Sequence, residues 1–187
     1  MTAPPHIEER QVRCFMLKRF FPDLYVDSIY DIPYDMLQKK QIKGLIFDID
    51  NTLVPFDVKM GDEKLTFHFQ RLADAGFVIC LVSNNSKERV HIFNQNLGVE
   101  AIHKAKKPLT KNFKKAMKIM GTTPITTAII GDQVFTDVWG GNRIGIMSIL
   151  VRPVVERDEW ITKIKRGLEK KILKIYLQKS TKEKKNE

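Results

Sequence analysis

Along the chain the apolar positions change rhythm. Runs at 44–49, 77–82, 127–130 and 148–151 are short, continuous and rich in Ile, Val, Phe and Leu, as buried strands are. Between them, 63–75, 87–97, 110–120 and 135–143 carry apolar residues at helical spacing, and Gly76, Gly98 and Gly121 follow three of these as stops. The segment 99–103 reads as a further short strand. Strand and helix in alternation predict an α/β fold: a doubly wound parallel sheet with helices on both faces. Residues 43–153 form this core, preceded by a helical arm over 1–42 and followed by a basic tail over 154–187.

The flanks have their own pattern. Val12, Phe15, Met16 and Phe20 fall on one side of a short helix, with Arg10, Arg13, Lys18 and Arg19 interleaved. In the tail, Ile161, Ile164, Leu168, Ile172 and Ile175 repeat at helical spacing among lysines, so a basic amphipathic helix is expected. That stripe suits either packing on the domain or partial burial in a membrane interface. Residues 180–187 are expected to be disordered.

Composition narrows the classes. A chain of 187 residues suits one packed domain, and 43% hydrophobic with 29% charged residues is ordinary for a globular protein. The apolar runs fall well short of the roughly 18 residues a membrane-crossing helix needs. Pro4, Pro5, Glu8 and Glu9 stand where a secretory signal would be basic and apolar, so a cytoplasmic location is expected. Cys14 and Cys80 read as reduced thiols, and four scattered histidines give no zinc pattern. The net charge is +10, of which 163–187 holds +7, with ten Lys or Arg against three Glu. Such a tail favours an anionic partner or simply solubility.

Candidate chemistry gathers at strand ends, where an open parallel sheet places its site. The first core strand runs into Asp48 and Asp50, two acids that would share one crevice and call for a cation. The second ends in Ser83-Asn84-Asn85-Ser86, suited to phosphate oxygens but equally an ordinary helix cap. Lys107 precedes Pro108 and could set an ammonium beside a phosphoryl group, although a Lys-Pro pair alone means little. The strand at 127–130 ends in Gly131-Asp132, with Asp137 five residues on, two acids placed to suit a divalent cation.

These four segments, in this order, resemble the haloacid dehalogenase (HAD) superfamily of phosphohydrolases. Asp48-x-Asp50-x-Thr52 matches its first motif, Ser83 the second, Lys107 the third and Gly131-Asp132-x4-Asp137 the fourth. A receiver domain is the structural rival, but it lacks the second acid. The resemblance implies that Asp48 is the nucleophile, that Asp50 is the general acid and base, and that Ser83, Asn84 and Lys107 bind phosphate. It also implies Mg2+ held by Asp48, the carbonyl of Asp50 and Asp132. Asp137 would orient Lys107 or a metal-bound water, and Thr52 would support the loop.

Only 35 positions separate Asp48 from Ser83 and 24 separate Ser83 from Lys107, leaving no room for a cap domain, so the site should be open to a bulky substrate. Together with Leu17-Lys18-Arg19-Phe20-Phe21-Pro22-Asp23-Leu24-Tyr25 and the 29–33 segment, the motifs resemble the YqeG family of capless phosphatases. That family is similar to mitochondrial phosphatidylglycerophosphate phosphatases. The implied substrate is a phospholipid phosphomonoester, the implied partner an anionic membrane surface, and the implied location peripheral on the membrane's inner face. A phosphatase of soluble phosphomonoesters is the alternative. A basic RNA- or ribosome-binding protein with a vestigial site is the reading from another class; the complete motif set and the lack of an aromatic-basic RNA motif weigh against nucleic acid. Oligomeric state is left open.

Overall fold

The computed structural model describes residues 17–155 and 160–183, with the side chains of 167–178 in the last helix. The described residues fall in two compact units. One spans Pro22–Glu156, and the other joins the chain up to Phe21 with the last helix.

The larger unit holds a sheet of β1 (Leu24–Val26), β2 (Gly44–Phe47), β3 (Val78–Val82), β4 (Glu100–Ile102), β5 (Thr127–Gly131) and β6 (Met147–Val151). Every pairing is parallel, in the order β1-β6-β5-β2-β3-β4. Helices α1 (Tyr34–Lys39), α2 (Glu63–Asp74), α3 (Lys87–Asn94), α4 (Lys111–Met120) and α5 (Trp139–Asn142) connect the strands.

Alternation along the central strands builds two cores. Leu45 and Phe47 of β2 and Ala128 and Ile130 of β5 face one side, packed with Leu65, Phe69 and Leu72 of α2 and Val90 and Phe93 of α3. Ile46, Cys80, Val82 and Ile129 face the other, against Phe113, Ala116, Met117 and Met120 of α4. Each fully buried Leu, Ile or Phe side chain contributes about 1.5–3 kcal/mol relative to exposure, so the sheet needs helices on both faces. Asp62 and Ser86 cap α2 and α3, accepting from Leu65 N (2.8 Å) and Arg89 N (3.2 Å). Gly121 ends α4 at φ 67°, a left-handed position that costs a residue with a Cβ. Cys80 is a buried free thiol that burial pushes up to about 12.

Three expectations change. The segment 22–42, read as part of a helical arm, belongs to the larger unit because β1 pairs with β6 and Asp23 accepts from Ser148 N at 2.7 Å. The expected helix at 135–143 is a π turn (Val134–Val138) running into the short α5. In the smaller unit, α6 (Trp160–Glu183) continues through Ser180, where disorder was expected. Along α6, Ile172 is buried and Tyr176 packs on Phe21 with ring centroids 5.8 Å apart, while Leu168 and Ile175 are exposed. The rest of the amino-terminal amphipathic pattern, Cys14 and residues 184–187 lie outside the described residues. No described helix is long and apolar enough to cross a membrane.

Candidate active site

Three adjacent central strands, β3, β2 and β5, deliver the site at their carboxyl ends. Asp48 follows β2 directly, its backbone N–H donating to Ile130 O of β5 at 2.9 Å. The chain then turns tightly: Leu53 N donates to Ile49 O at 2.9 Å and Asn51 N to Val54 O at 2.8 Å, with Asn51 itself left-handed at φ 64°. This turn sets Asp50 beyond Asp48 on the cleft wall.

At the centre is an ammonium between two carboxylates. Lys107 Nζ lies 2.7 Å from Asp48 Oδ1 and 2.7 Å from Asp137 Oδ1, and all three residues are buried. Burial alone would disfavour the ammonium, but Asp137 and Asp48 outweigh it and hold the lysine pKa well above its ordinary value. Burial also pushes Asp48 up to about 6 against the pull of Lys107, and Asp137 adds to the rise.

The lysine is delivered by a fastened loop. Lys107 N donates to Asn84 Oδ1 (2.6 Å) and Asn84 Nδ2 donates back to Lys107 O (3.2 Å). Lys104 N and Ala105 N donate to the carbonyls of Asn85 and Ser83, each at 2.9 Å. The Asn84 side chain, expected to bind phosphate, thus carries the loop that carries Lys107. Ser83 is buried, and its Oγ accepts from Asn85 N at 3.1 Å.

The fourth motif enters on β5. Asp132 is buried and its Oδ1 accepts from Thr52 Oγ1 at 3.3 Å. The π turn returns Asp137 toward the strand it left, where its Oδ2 accepts from Thr136 Oγ1 (3.1 Å) and Gln133 N (3.3 Å). Gly131 lies under that carboxylate with no space for a Cβ.

Asp48, Asp132 and Asp137 each offer a carboxylate oxygen, all within 4.8 Å of one another. Three buried acids, two of them paired with one lysine, form an excess of negative charge, and an all-oxygen donor set suits a hard divalent cation. The carboxylate of Asp50 points elsewhere. Its Oδ1 accepts from Arg89 Nε (3.2 Å) and Nη2 (3.0 Å), and its Oδ2 from Asn85 Nδ2 (3.0 Å). The sequence reading passed over Arg89 and read Asn85 only as part of the polar 83–86 segment. The available signal was Arg89 in the first turn after the Ser86 cap, on a helix whose start faces the cleft.

The cleft has a volume of about 310 Å³ and is lined by Asp48, Asp50, Ser83, Asn85, Lys107 and Gln133 among others. The links between its motifs hold only a loop before α2 and, between Ser83 and Lys107, α3 and β4, so no cap is inserted among the described residues.

A parallel sheet with an aspartate pair after one strand, a Ser and a Lys after the next two connections, and an acidic fourth motif defines a HAD-type phosphatase. Within that class the chain belongs to the family described as mitochondrial PGP phosphatase, whose model matches residues 11–156. It is 42% identical over 159 residues to "Probable phosphatase YqeG" of Bacillus subtilis (strain 168), covering 84% of this chain and 92% of that protein. It is 28% identical over 172 residues to "Phosphatidylglycerophosphate phosphatase 1, chloroplastic/mitochondrial" of Arabidopsis thaliana, covering 86% of this chain and 49% of that one. Among solved structures, an uncharacterized protein from Listeria monocytogenes serotype 4b shares the fold, with a TM-score of 0.51 and 18% identity over 64% of this chain and 84% of that one.

Proposed function

We propose that the chain is a magnesium-dependent phosphomonoesterase working through an aspartyl-phosphate on Asp48, with phosphatidylglycerophosphate as substrate. The observation that carries the chemistry is the Asp48–Lys107–Asp137 contact beside Asp132. Asp48 and Asp132, with Asp137 close by, would hold Mg2+, which when bound lowers the repulsion between the Asp48 carboxylate and an anionic phosphate.

A carboxylate oxygen of Asp48 forms a bond to phosphorus as the bond to the leaving oxygen breaks, and Asp50 gives that oxygen a proton. Asp50, now ionised, takes a proton from water as the water oxygen attacks phosphorus and the bond to Asp48 breaks, releasing inorganic phosphate. Lys107 and Ser83 stand at the cleft to hold the non-bridging oxygens, whose charge builds in the transition state. Asp137 keeps Lys107 charged and aimed. Asn84 acts one step back by holding the lysine's main chain.

The lipid substrate rests on family membership, on the plant relative's name and on an uncapped cleft that leaves room for a headgroup presented from a surface. The tail supplies a means of reaching that surface. The test is phosphate release from phosphatidylglycerophosphate in mixed micelles beside a panel of soluble phosphomonoesters, with and without Mg2+, and with Asp48→Asn as control. Preferential, Mg2+-dependent hydrolysis of the lipid that vanishes in the variant is expected. Equal or better turnover of a soluble ester would overturn the lipid assignment, and residual turnover in the variant would overturn the covalent route.

A further inference from the structure

The general acid in this site is held by a clamp that the four motifs do not include. Asp50 sits on a tight turn with its side chain 20% exposed, and the donors to its carboxylate are side chains of Arg89 and Asn85. Yet both half-reactions need it in one place, first to give a proton and then to take one. A misplacement of about 1 Å can cost on the order of 100-fold in rate.

We propose that Arg89, with Asn85, is the positioning residue for Asp50, and that the clamp selects Oδ2 as the oxygen that carries the proton; this rests on the reading of Asp50 as general acid. Two N–H donors of one guanidinium, Nε and Nη2, converge on Oδ1 at 3.2 and 3.0 Å. Oδ2 takes a single amide donor from Asn85 at 3.0 Å and retains a lone pair. Asp50 and Asn85 both line the cleft.

The guanidinium is itself pinned. Arg89 N donates to the Ser86 cap, its Cζ lies 5.3 Å from the Phe93 ring centre, and Nη1 donates to Lys59 O at 2.9 Å. That last bond ties the loop following the first motif to the same clamp. A planar fork does this, whereas a lysine offers one point charge and cannot span Asp50 and Lys59 together.

The experiment uses the full chain as wild type, Arg89→Met, Asp50→Asn and the double variant. Each is assayed for kcat/KM, which reports only the steps up to departure of the leaving group, on aryl phosphates of graded leaving-group basicity and on an alkyl phosphate. Arg89→Met should lose about 10- to 100-fold on the alkyl ester, part of the roughly 100- to 10,000-fold that a general acid supplies, and less than about threefold on p-nitrophenyl phosphate. In the Asp50→Asn background the arginine change should add less than about threefold on any ester, because its route to the reaction is gone. Arg89→Lys should recover only part of the loss.

A uniform loss across leaving groups in Arg89→Met, or losses that multiply in the double variant, would overturn the proposal. A uniform loss in Asp50→Asn alone would instead remove the general-acid reading beneath it. If Arg89→Met does not fold, Asn85→Ala opens the Oδ2 side of the same clamp. A steeper leaving-group dependence there supports the assignment, and an unchanged slope defeats it.

Discussion

Gly131 and Asp137 share one space: a methyl group on Gly131 would overlap the Asp137 carboxylate. The strand end therefore has to be glycine for the acid to reach Lys107. Gly131→Ala should push Asp137 away from the lysine, costing about 1–3 kcal/mol from overpacking and leaving little activity. Chemical denaturation beside a phosphate-release assay checks both. An alanine variant with wild-type turnover would show that the Asp137 contact is dispensable.

Asp48 couples stability to pH. Its pKa in the folded, metal-free protein is about 6, above the ordinary carboxylate value, so between about pH 4 and 6 the folded state binds more protons than the unfolded one. Stability from this group is present at low pH and is lost as pH rises through the folded pKa, by roughly 1–3 kcal/mol. In chelator, Asp48→Asn should remove that slope and be the more stable protein at pH 7. Melting curves from pH 4 to 7.5 test this; parallel curves for the two proteins would refute it.

Asn84 offers a separate test of where its side chain acts. Because both ends of its amide bond the main chain of Lys107, Asn84→Ala should cost about 1–2 kcal/mol in stability and lower kcat more than it raises KM. A rise in KM alone, with kcat unchanged, would return Asn84 to direct phosphate binding.

The tail prediction concerns surfaces. Removing 162–187 deletes the +7 segment, so binding to anionic vesicles should weaken and the salt dependence of what remains should flatten. Each lysine near such a bilayer contributes on the order of 1 kcal/mol, screened within a Debye length. Hydrolysis of a small soluble ester should persist, since every proposed catalytic residue precedes 152. Vesicle binding unchanged by the deletion would place the membrane contact elsewhere, and co-sedimentation with RNA in place of vesicles would reverse the partner class.

Much of the site was legible because its chemistry sits at strand ends, and the strands of the centre are continuous apolar runs. Asp48, Asp132 and Ser83 fall where those runs stop, and Lys107 lies on the loop that follows the edge strand β4. β1 escaped notice because three half-buried residues, Leu24–Val26, follow a helical pattern and are stabilised by a partner 125 residues away, which local periodicity does not register. Arg89 escaped for a related reason. One arginine in a helix with other charges reads as solvated surface until the turn at Asn51 brings Asp50 against it. The bonds of the Asn84 side chain to the main chain of Lys107 were not legible either, because an amide beside a phosphate motif does not announce a partner 23 residues away.

The strand order has a consequence for how the molecule comes apart. β3, β2 and β5 lie side by side inside the sheet, while the edges are the three-residue strands β1 and β4. Local opening starts where few buried contacts hold the chain, so amide protons of β1 should exchange with solvent deuterium early. Those of β2 and β5, buried along their whole length, should exchange only when the entire larger unit opens. The β1 edge can therefore fray and re-form during turnover without disturbing Asp48, whereas β4 leads into the loop that holds Lys107 against it.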